Sequence, residues 1–527
     1  MQNKPSAALQ QQLQLIHALQ QQHMELIETH ISWILLSEDT AYKVKKALDL
    51  DFLDFSTLAG REFYCKEEIR LNRRLAPDIY IDVIPIGGSF EAPLLGLGHL
   101  PAIEYAVRMR RFDGSNQMDV VLAAGQLRAA HIDRLAVTLA RFHASLPPAD
   151  PVSAFGTAEA ILAVDEQNFE QLGALLHSAA DHQTLQALQQ ATAVEFAACR
   201  PIFGQRRNDG FVRECHGDLH LSNIVLIDDQ PVPFDCLEFD PGLRWIDVIN
   251  ELAFPMMDLM HRQQGGFAFR LLNAYLEITG DYAGVALLRF YLAGRATVRA
   301  KVSAIRITQP DLSQAEAAEA LASVRSYLTL ADTLLHSGAP TLIITHGLPG
   351  SGKSTLALEV LERQHGIRLR SDVERKRLFG IDALDNSRTA QNIYSAAATR
   401  QTYSLLLQMA RQLLETGYTV IVDAAFLRED ERAMFRQLAR QMAVGFAIAS
   451  AQADAVTLRS RIQHRSALGT DPSEANGSVL DRLTSVQQPL SPEELAHTVI
   501  FESQAGSNGF GALTDSWDKL DKLLAAT

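Results

Sequence analysis

The sequence has no apolar run of bilayer length; crossing takes about 20 consecutive apolar residues, so no membrane partner is expected. Its opening, Met1-Gln2-Asn3-Lys4-Pro5 and then a glutamine-rich stretch, lacks the apolar block and small-residue cleavage site of a signal peptide, and a cytoplasmic location is expected. Cysteine is scarce. Cys65, Cys199, Cys215 and Cys236 are the only four in 527 residues, and none form a C-x-x-C pair. That excludes a disulfide framework, gives no zinc-ligand spacing, and reads as small buried thiols in a reducing compartment. Positive charge is also in deficit, with 48 Lys+Arg against 62 Asp+Glu and a net charge of −14. A general binder of nucleic acid or anionic membranes carries the opposite balance, although a local basic pocket for an acidic substrate remains compatible with it. No self-similarity at solenoid spacing appears.

What the chain does have is material for more than one core. Hydrophobic residues make up 47% and charged residues 21%, an ordinary globular composition, and at about 100–250 residues per domain the length predicts at least two units. Residues 7–28 are rich in Gln and Leu and predict a helix. Strand patterns follow at 31–36, 41–46, 81–86 and 105–112, with a helix at 62–75 between them. Helical periodicity dominates from about 133 and is interrupted at 211–239. A last helical stretch, 314–335, meets His336-Ser337-Gly338-Ala339-Pro340, which breaks the pattern and places a domain boundary between 338 and 339. Beyond it, apolar runs at 341–345, 418–422, 444–449 and 497–501 alternate with helical segments, which predicts a parallel sheet covered on both faces.

Gly347-Leu348-Pro349-Gly350-Ser351-Gly352-Lys353-Ser354, followed by Thr355, fits G-x-x-x-x-G-K-[ST] between a strand and a helix. Glycines let backbone N–H groups wrap phosphate oxygens, the helix N-terminus adds positive potential, Lys353 reaches the outer phosphates, and the Ser354 hydroxyl can ligate magnesium. Downstream, Asp372 in Arg370-Ser371-Asp372-Val373-Glu374-Arg375 is a candidate base for a substrate hydroxyl, and Arg375 a candidate anion holder. A helix cap and a solvated arginine are the bland alternatives. Asp423, ending the apolar run Val420-Ile421-Val422, has the Walker B layout for magnesium or substrate positioning, with a cap as its alternative. Arg461 and Arg465 share one face of a predicted helix over 458–465. They could close over a triphosphate or form a solvated basic face. The cluster Arg368, Arg370, Arg375, Lys376 and Arg377 suits an anionic acceptor and a charged helix surface equally. On these motifs, 341–502 resembles small P-loop kinases of the polynucleotide kinase and gluconate kinase type. The resemblance implies Asp372 as base, lid arginines around the nucleotide, and Asp423 near the acceptor.

The other decisive stretch is His216-Gly217-Asp218-Leu219-His220-Leu221-Ser222-Asn223, followed by Asp235 in Val232-Pro233-Phe234-Asp235-Cys236-Leu237-Glu238. An Asp, an Asn five residues on and a second Asp twelve further is the layout phosphoryl transfer uses. Asp218 orients and deprotonates the acceptor, while Asn223 and Asp235 hold magnesium on the ATP phosphates. The run H-G-D-x-H-x-x-N resembles the aminoglycoside phosphotransferase and choline kinase branch of the protein-kinase-like fold, over about 31–335. The resemblance implies an ATP-binding lysine in Tyr42-Lys43-Val44-Lys45-Lys46. Lys43 and Lys45 point to the same face, and Lys43 is preferred. It also implies Glu68 as that lysine's ion-pair partner, a hinge at 104–109 that meets adenine, and Asp247 as a brace for the catalytic loop. His143 is expected to be structural, and Asp258 is expected to be a solvated carboxylate or, if functional, a ligand for a cationic amine. No G-x-G-x-x-G precedes the lysine strand, and Glu28-Thr29-His30-Ile31-Ser32 stands in its place.

The expected architecture is therefore two domains. The first, 1–338, is α+β and protein-kinase-like, with a small β lobe and a large helical lobe. The second, 339–527, is an α/β P-loop NTPase. Together they resemble fusions of an aminoglycoside phosphotransferase-like domain with an ATP-binding kinase domain. The expected activity is ATP- and magnesium-dependent transfer to small-molecule hydroxyls. A nucleotide sensor with one degenerate half and 5′-hydroxyl polynucleotide phosphorylation stand as alternatives.

Overall fold

A computed structural model describes residues 7–50, 53–96, 100–308, 312–336, 338–381, 393–468, 476–503 and 509–525. Two compact units emerge, Met1–Gln167 with Arg200–Asp258, and Asn168–Cys199 with Leu259–Thr527.

The first unit is organised by a six-stranded antiparallel sheet in the order Glu25–Glu28, Ser32–Leu36, Thr40–Lys45, Glu104–Arg110, Tyr80–Gly88, Pro93–Leu95. Period-two alternation along Thr40–Lys45 decides its chemistry. Val44 faces a core built with Leu15, Ile16 and Leu19 of the helix Ala7–Gln20. Ala41 faces the opposite core, with Cys65 and Ile69 of the helix Leu58–Asn72. Lys43 and Lys45 share the Ala41 face and so meet that second helix. The Thr57 hydroxyl caps it, accepting the Gly60 N–H at 3.0 Å.

The helix expected over 7–28 ends at Gln20. His23 turns the chain with φ +66°, and Glu25–Glu28 becomes an edge strand paired with Ser32–Leu36. The glutamine-rich composition suits a helix as far as that turn, but Leu26 and Ile27 pair across the hairpin instead. The expected hinge, 104–109, lies in a strand paired with Tyr80–Gly88 and, from Ala106 on, also with Thr40–Lys45, so most of its backbone groups are spent on the sheet. Only beyond Arg110 does the chain leave the sheet.

The second unit contains a five-stranded sheet in the order Ile367–Arg370, Val420–Asp423, Thr341–His346, Gly445–Gln452, Thr498–Glu502, with every pairing parallel. Its central strands are buried along their length, the continuous apolar pattern of a sheet covered on both faces. The expected strands are all present. Helices Gly265–Thr279, Val285–Ile307 and Gln314–Leu335 belong to this unit as well. Among the described residues no helix is long and apolar enough to cross a membrane. All four cysteines are buried, and none forms a disulfide.

Candidate functional site

In the second unit the strand Thr341–His346 runs into the phosphate-loop sequence, which leads into the helix Lys353–Gln364. Gly347 has φ +144°, and a Cβ there would stand 2.3 Å from the Ala451 carbonyl oxygen. Gly350 has φ +83°, and a Cβ would stand 2.7 Å from the Leu458 carbonyl. Neither position admits a side chain, so the loop keeps its tight path. Gly352 is the residue before the helix, and no side chain caps the helix. Its first N–H groups are left for a ligand. The Lys353 ammonium donates to the Leu348 carbonyl at 2.9 Å.

A cavity of about 660 Å³ opens over this loop, lined by Pro349, Gly350, Gly352, Lys353, Ser354 and Thr355, and by Asp372, Asp423 and Arg461. Most of the sequence-predicted residues of this half thus converge on one cavity. Leu348 and Ser351 shape the loop from behind, Ser351 being 1% exposed. Asp372 sits in the first turn of the helix Ser371–Leu378, whose preceding residue is Arg370, so it is not the cap. Asp423 ends its strand 5% exposed, and its Oδ2 has no hydrogen-bond partner. The nearest cation is Arg370 Nε at 3.8 Å. A buried carboxylate oxygen left in this state fits a divalent cation shared with the Ser354 hydroxyl. Arg461 Nη1 lies 3.4 Å from the Gly350 carbonyl, above the loop. The Arg465 side chain lies outside the described residues.

The basic cluster is not a solvated surface. Arg368 is buried and pairs with Glu277, which also accepts from Arg370 at 3.2 Å. Burial pushes Glu277 up, and the two guanidiniums more than offset it, leaving its carboxyl below the usual range. Arg377 pairs with Glu374, and Lys376 is buried. Arg370 and Arg375 line the cavity. Arg375 is 7% exposed. It donates to the Ile393 carbonyl at 3.0 Å and contacts Thr399 Oγ1 at 3.3 Å, and its Nε has no hydrogen-bond partner. Among the described residues it forms no ion pair.

In the first unit the predicted residues also converge. The Asn223 amide donates to the Asp218 carbonyl at 2.9 Å and to its carboxylate at 3.1 Å. That turns the Asn223 side-chain oxygen away as the atom available to a cation. His220 Nε2 lies 3.5 Å from the same carboxylate. Asp235 has φ +63°, and its N–H donates to Tyr80 Oη at 3.0 Å. Lys43 bridges Asp235 at 2.5 Å and Glu68 at 2.9 Å, while Lys45 bridges Glu68 at 2.6 Å and Glu238. The two candidate lysines therefore share one glutamate. Burial raises the Glu68 pKa, but both ammoniums outweigh it and hold the carboxyl at about 2. Burial dominates at Glu238 and raises it. Asn223 and Asp235 carry oxygen donors suited to magnesium, the latter at the cost of displacing Lys43.

Asp247 does not brace the catalytic loop. It is taken by Arg206 at 2.7 and 2.9 Å and caps Ile249. The braces are Glu251, which accepts the His216 and Gly217 N–H groups at 2.6 and 3.0 Å, and Asp258, which accepts the Leu221 N–H at 3.0 Å. Asp258 is buried, neither solvated nor set out for an amine. Its carboxylate stands 37 positions from its partner, beyond any local pattern. His143 is buried beside Cys215 and Glu251, and burial lowers its pKa to about 4.

Known proteins divide in the same way. Residues 342–490 match the family model of the AAA domain, and residues 64–288 that of the phosphotransferase enzyme family. The uncharacterized protein Rv2004c of Mycobacterium tuberculosis is 31% identical over 423 residues, which cover 79% of this chain and 81% of that protein. Mb2027c of Mycobacterium bovis matches with the same figures. Among solved structures, a choline/ethanolamine kinase family protein from Mesorhizobium loti is 13% identical, with a TM-score of 0.36, over 59% of this chain and 92% of its own. The Mycobacterium tuberculosis APS kinase CysC, in complex with AMPPNP and APS, is 19% identical, with a TM-score of 0.26, over 36% of this chain and 98% of its own. Scores this low add nothing to the family models. Those models support a phosphotransferase with two kinase-type domains, and the chain belongs to one family with the mycobacterial proteins.

Proposed function

We propose that each half transfers the γ-phosphoryl group of ATP to a hydroxyl of a small molecule. The observation that carries the reading is the meeting, in one cavity, of the phosphate loop with two carboxylates, Asp372 and Asp423. In the second half, Lys353 and the uncapped helix N-terminus bind the phosphates, Asp372 takes the acceptor proton, and Arg461 covers the transferring group. In the first half, Asp218 takes the proton, held in place by Asn223 and by the Glu251 and Asp258 braces, while Lys43 meets the phosphates. Ser354 and Asp423 in one half, and Asn223 and Asp235 in the other, would hold magnesium, which would supply neutralisation of the phosphate charge. The functional division stays at 338/339, where each side keeps a full set of motifs.

The acceptor of the second half is anionic on this reading. Arg375 is a buried guanidinium in the cavity wall, 5.3 Å from the Tyr394 ring centroid and without a carboxylate partner among the described residues, an arrangement that favours an incoming anion. For the first half, a second reading rests on one observation. The turn joining Glu25–Glu28 to Ser32–Leu36 is short and free of glycine, which favours a nucleotide sensor with a reduced phosphate cover. Labelled ATP with a panel of neutral, amino and phosphorylated metabolites, plus a 5′-hydroxyl oligonucleotide, separates these. The expected result is one class of labelled product lost in Lys353→Ala and a different class lost in Asp218→Asn. If no acceptor is labelled by the wild type, the transferase reading is wrong. If every product survives Asp218→Asn, the first half is a sensor. A labelled oligonucleotide would assign the second half to polynucleotide ends.

A further inference from the structure

Beside the candidate site of the first unit, the lysine strand carries a second, fully buried lysine that the transferase reading does not use. Asp235, Lys43, Glu68, Lys45 and Glu238 form one chain of alternating charge, three carboxylates and two ammoniums. Its two ends differ. Side-chain exposure is 0% at Lys45 and 4% at Glu238, against 8% at Lys43 and 41% at Asp235. The Lys45 ammonium also lies 5.0 Å from the centroid of the Phe55 ring. One end is sealed, and the other reaches solvent.

Glu68 gives one oxygen to each lysine, Oε1 to Lys43 and Oε2 to Lys45. Any cation on Asp235 competes with the Lys43 ammonium for Oδ1. Once Lys43 turns to a phosphate oxygen, Glu68 keeps a full ammonium partner in Lys45, and Lys45 stays anchored by Glu238. With Lys43 alone, the same movement would leave a fully buried carboxylate with no ammonium partner, at a cost of several kcal/mol.

We infer that the two lysines divide the work: Lys43 is the one that moves to the nucleotide, and Lys45, anchored by Glu238, is a positioning residue that fixes Glu68 and through it Lys43. The inference rests on ATP binding by the first half.

The test uses the full chain carrying Lys353→Ala, which silences the phosphate loop, with Mg·ATP and adenosine titrated calorimetrically. Lys43→Met is expected to weaken Mg·ATP by about 10–100-fold, the loss of a charged hydrogen bond, and to leave adenosine unchanged. Glu238→Gln is expected to weaken Mg·ATP by about 3–10-fold, again with adenosine unchanged. The double variant Lys43→Met/Glu238→Gln is expected to be no weaker than Lys43→Met alone, because Glu238 acts through Lys43. Losses that add independently, or an equal loss for adenosine, would show a merely structural role and overturn the assignment. So would a larger ATP effect from Glu238→Gln than from Lys43→Met. If Glu238→Gln does not fold, Lys45→Gln/Glu238→Gln removes both charges, keeps the hydrogen bonding, and is read by the same criteria. If the Lys353→Ala parent binds neither ligand, the transferase reading of the first half fails as well, an outcome distinct from the others.

Discussion

The two nucleotide sites solve one electrostatic problem in opposite ways. In the first unit both ammoniums of the charge chain are already answered: Lys43 by Asp235 and Glu68, Lys45 by Glu68 and Glu238. In the second unit key groups are left open: Asp423 Oδ2, Arg375 Nε and an uncapped helix N-terminus. A site whose cations are already ion-paired is stable without ligand and must break ion pairs to bind. An open site stores its cost in the empty protein and releases it on binding. The contrast follows from where the charges sit. Strand alternation sets two lysines side by side on one buried face in the first case. In the second, parallel strands end together and deliver loop, carboxylate and arginine to one rim.

The comparison breaks first at the chemistry. Asp218→Asn and Lys353→Ala should each remove one phosphotransfer activity by about 100–10,000-fold and spare the other, measured with labelled ATP on each half's own acceptor. Equal loss of both activities from either change would mean a single working site. Next in size is stability. Glu68→Gln leaves two buried ammoniums with one carboxylate fewer and should destabilise the first unit by about 3–5 kcal/mol. Denaturant unfolding followed by Trp33 fluorescence, in a chain carrying Trp245→Phe and Trp517→Phe, reads that unit. A loss under about 1 kcal/mol would mean that the charge chain is not a buried network.

Acid sharpens the contrast by failing to distinguish the two sites. Each unit buries one histidine whose pKa burial lowers from 6.5 to about 4, His143 in the first and His346 in the second. Above pH 6.5 both are neutral whether folded or unfolded. As the pH falls toward 4, the unfolded chain takes the proton first, so stability drops. The full drop is about 3 kcal/mol per histidine, reached below the folded value. His143→Gln and His346→Gln should each flatten the limb between pH 6.5 and 4 in its own unit. Unchanged limbs would place other groups in charge of acid unfolding.

How much of this was legible in the sequence depended on the range of the signal. The phosphate loop, the Asp218–Asn223 register and the parallel strands are local patterns, and they led to the right elements. So did the shared face of Lys43 and Lys45, which alternation dictates. The glutamine-rich start reads as one helix because composition hides the turn at His23. A hinge at 104–109 falls in a strand because strand and following segment differ only in whether neighbours pair with their edges. Asp247 resembles a brace that Glu251 and Asp258 in fact provide, since a carboxylate's partner across 34 to 37 positions has no sequence mark. The arginine cluster 368–377 likewise read as one feature. Glu277, about 90 residues upstream, splits it into spent and open members.

The smallest effect is the most pointed, because removing this buried charge should cost far less than Glu68→Gln. Arg375 is desolvated in the cavity wall without a carboxylate partner among the described residues, so its charge opposes folding of the empty site. Arg375→Met keeps much of the apolar stem and removes the charge. The two hydrogen bonds to Ile393 and Thr399 are lost with it, worth about 1 kcal/mol each. The net change in unfolding free energy should therefore lie within about 1 kcal/mol of zero and can be stabilising. Trp517 fluorescence, with Trp33→Phe and Trp245→Phe, reads this unit. Inorganic phosphate then separates the two roles of the cavity. In a Lys353→Ala parent it should stabilise the chain that keeps Arg375, and do so less in Arg375→Met, by the linkage between binding and folding. A loss of several kcal/mol on removing Arg375, with no change in the response to phosphate, would make the arginine a structural tie, and the contrast between a paired site and an open one would fail at its clearest point.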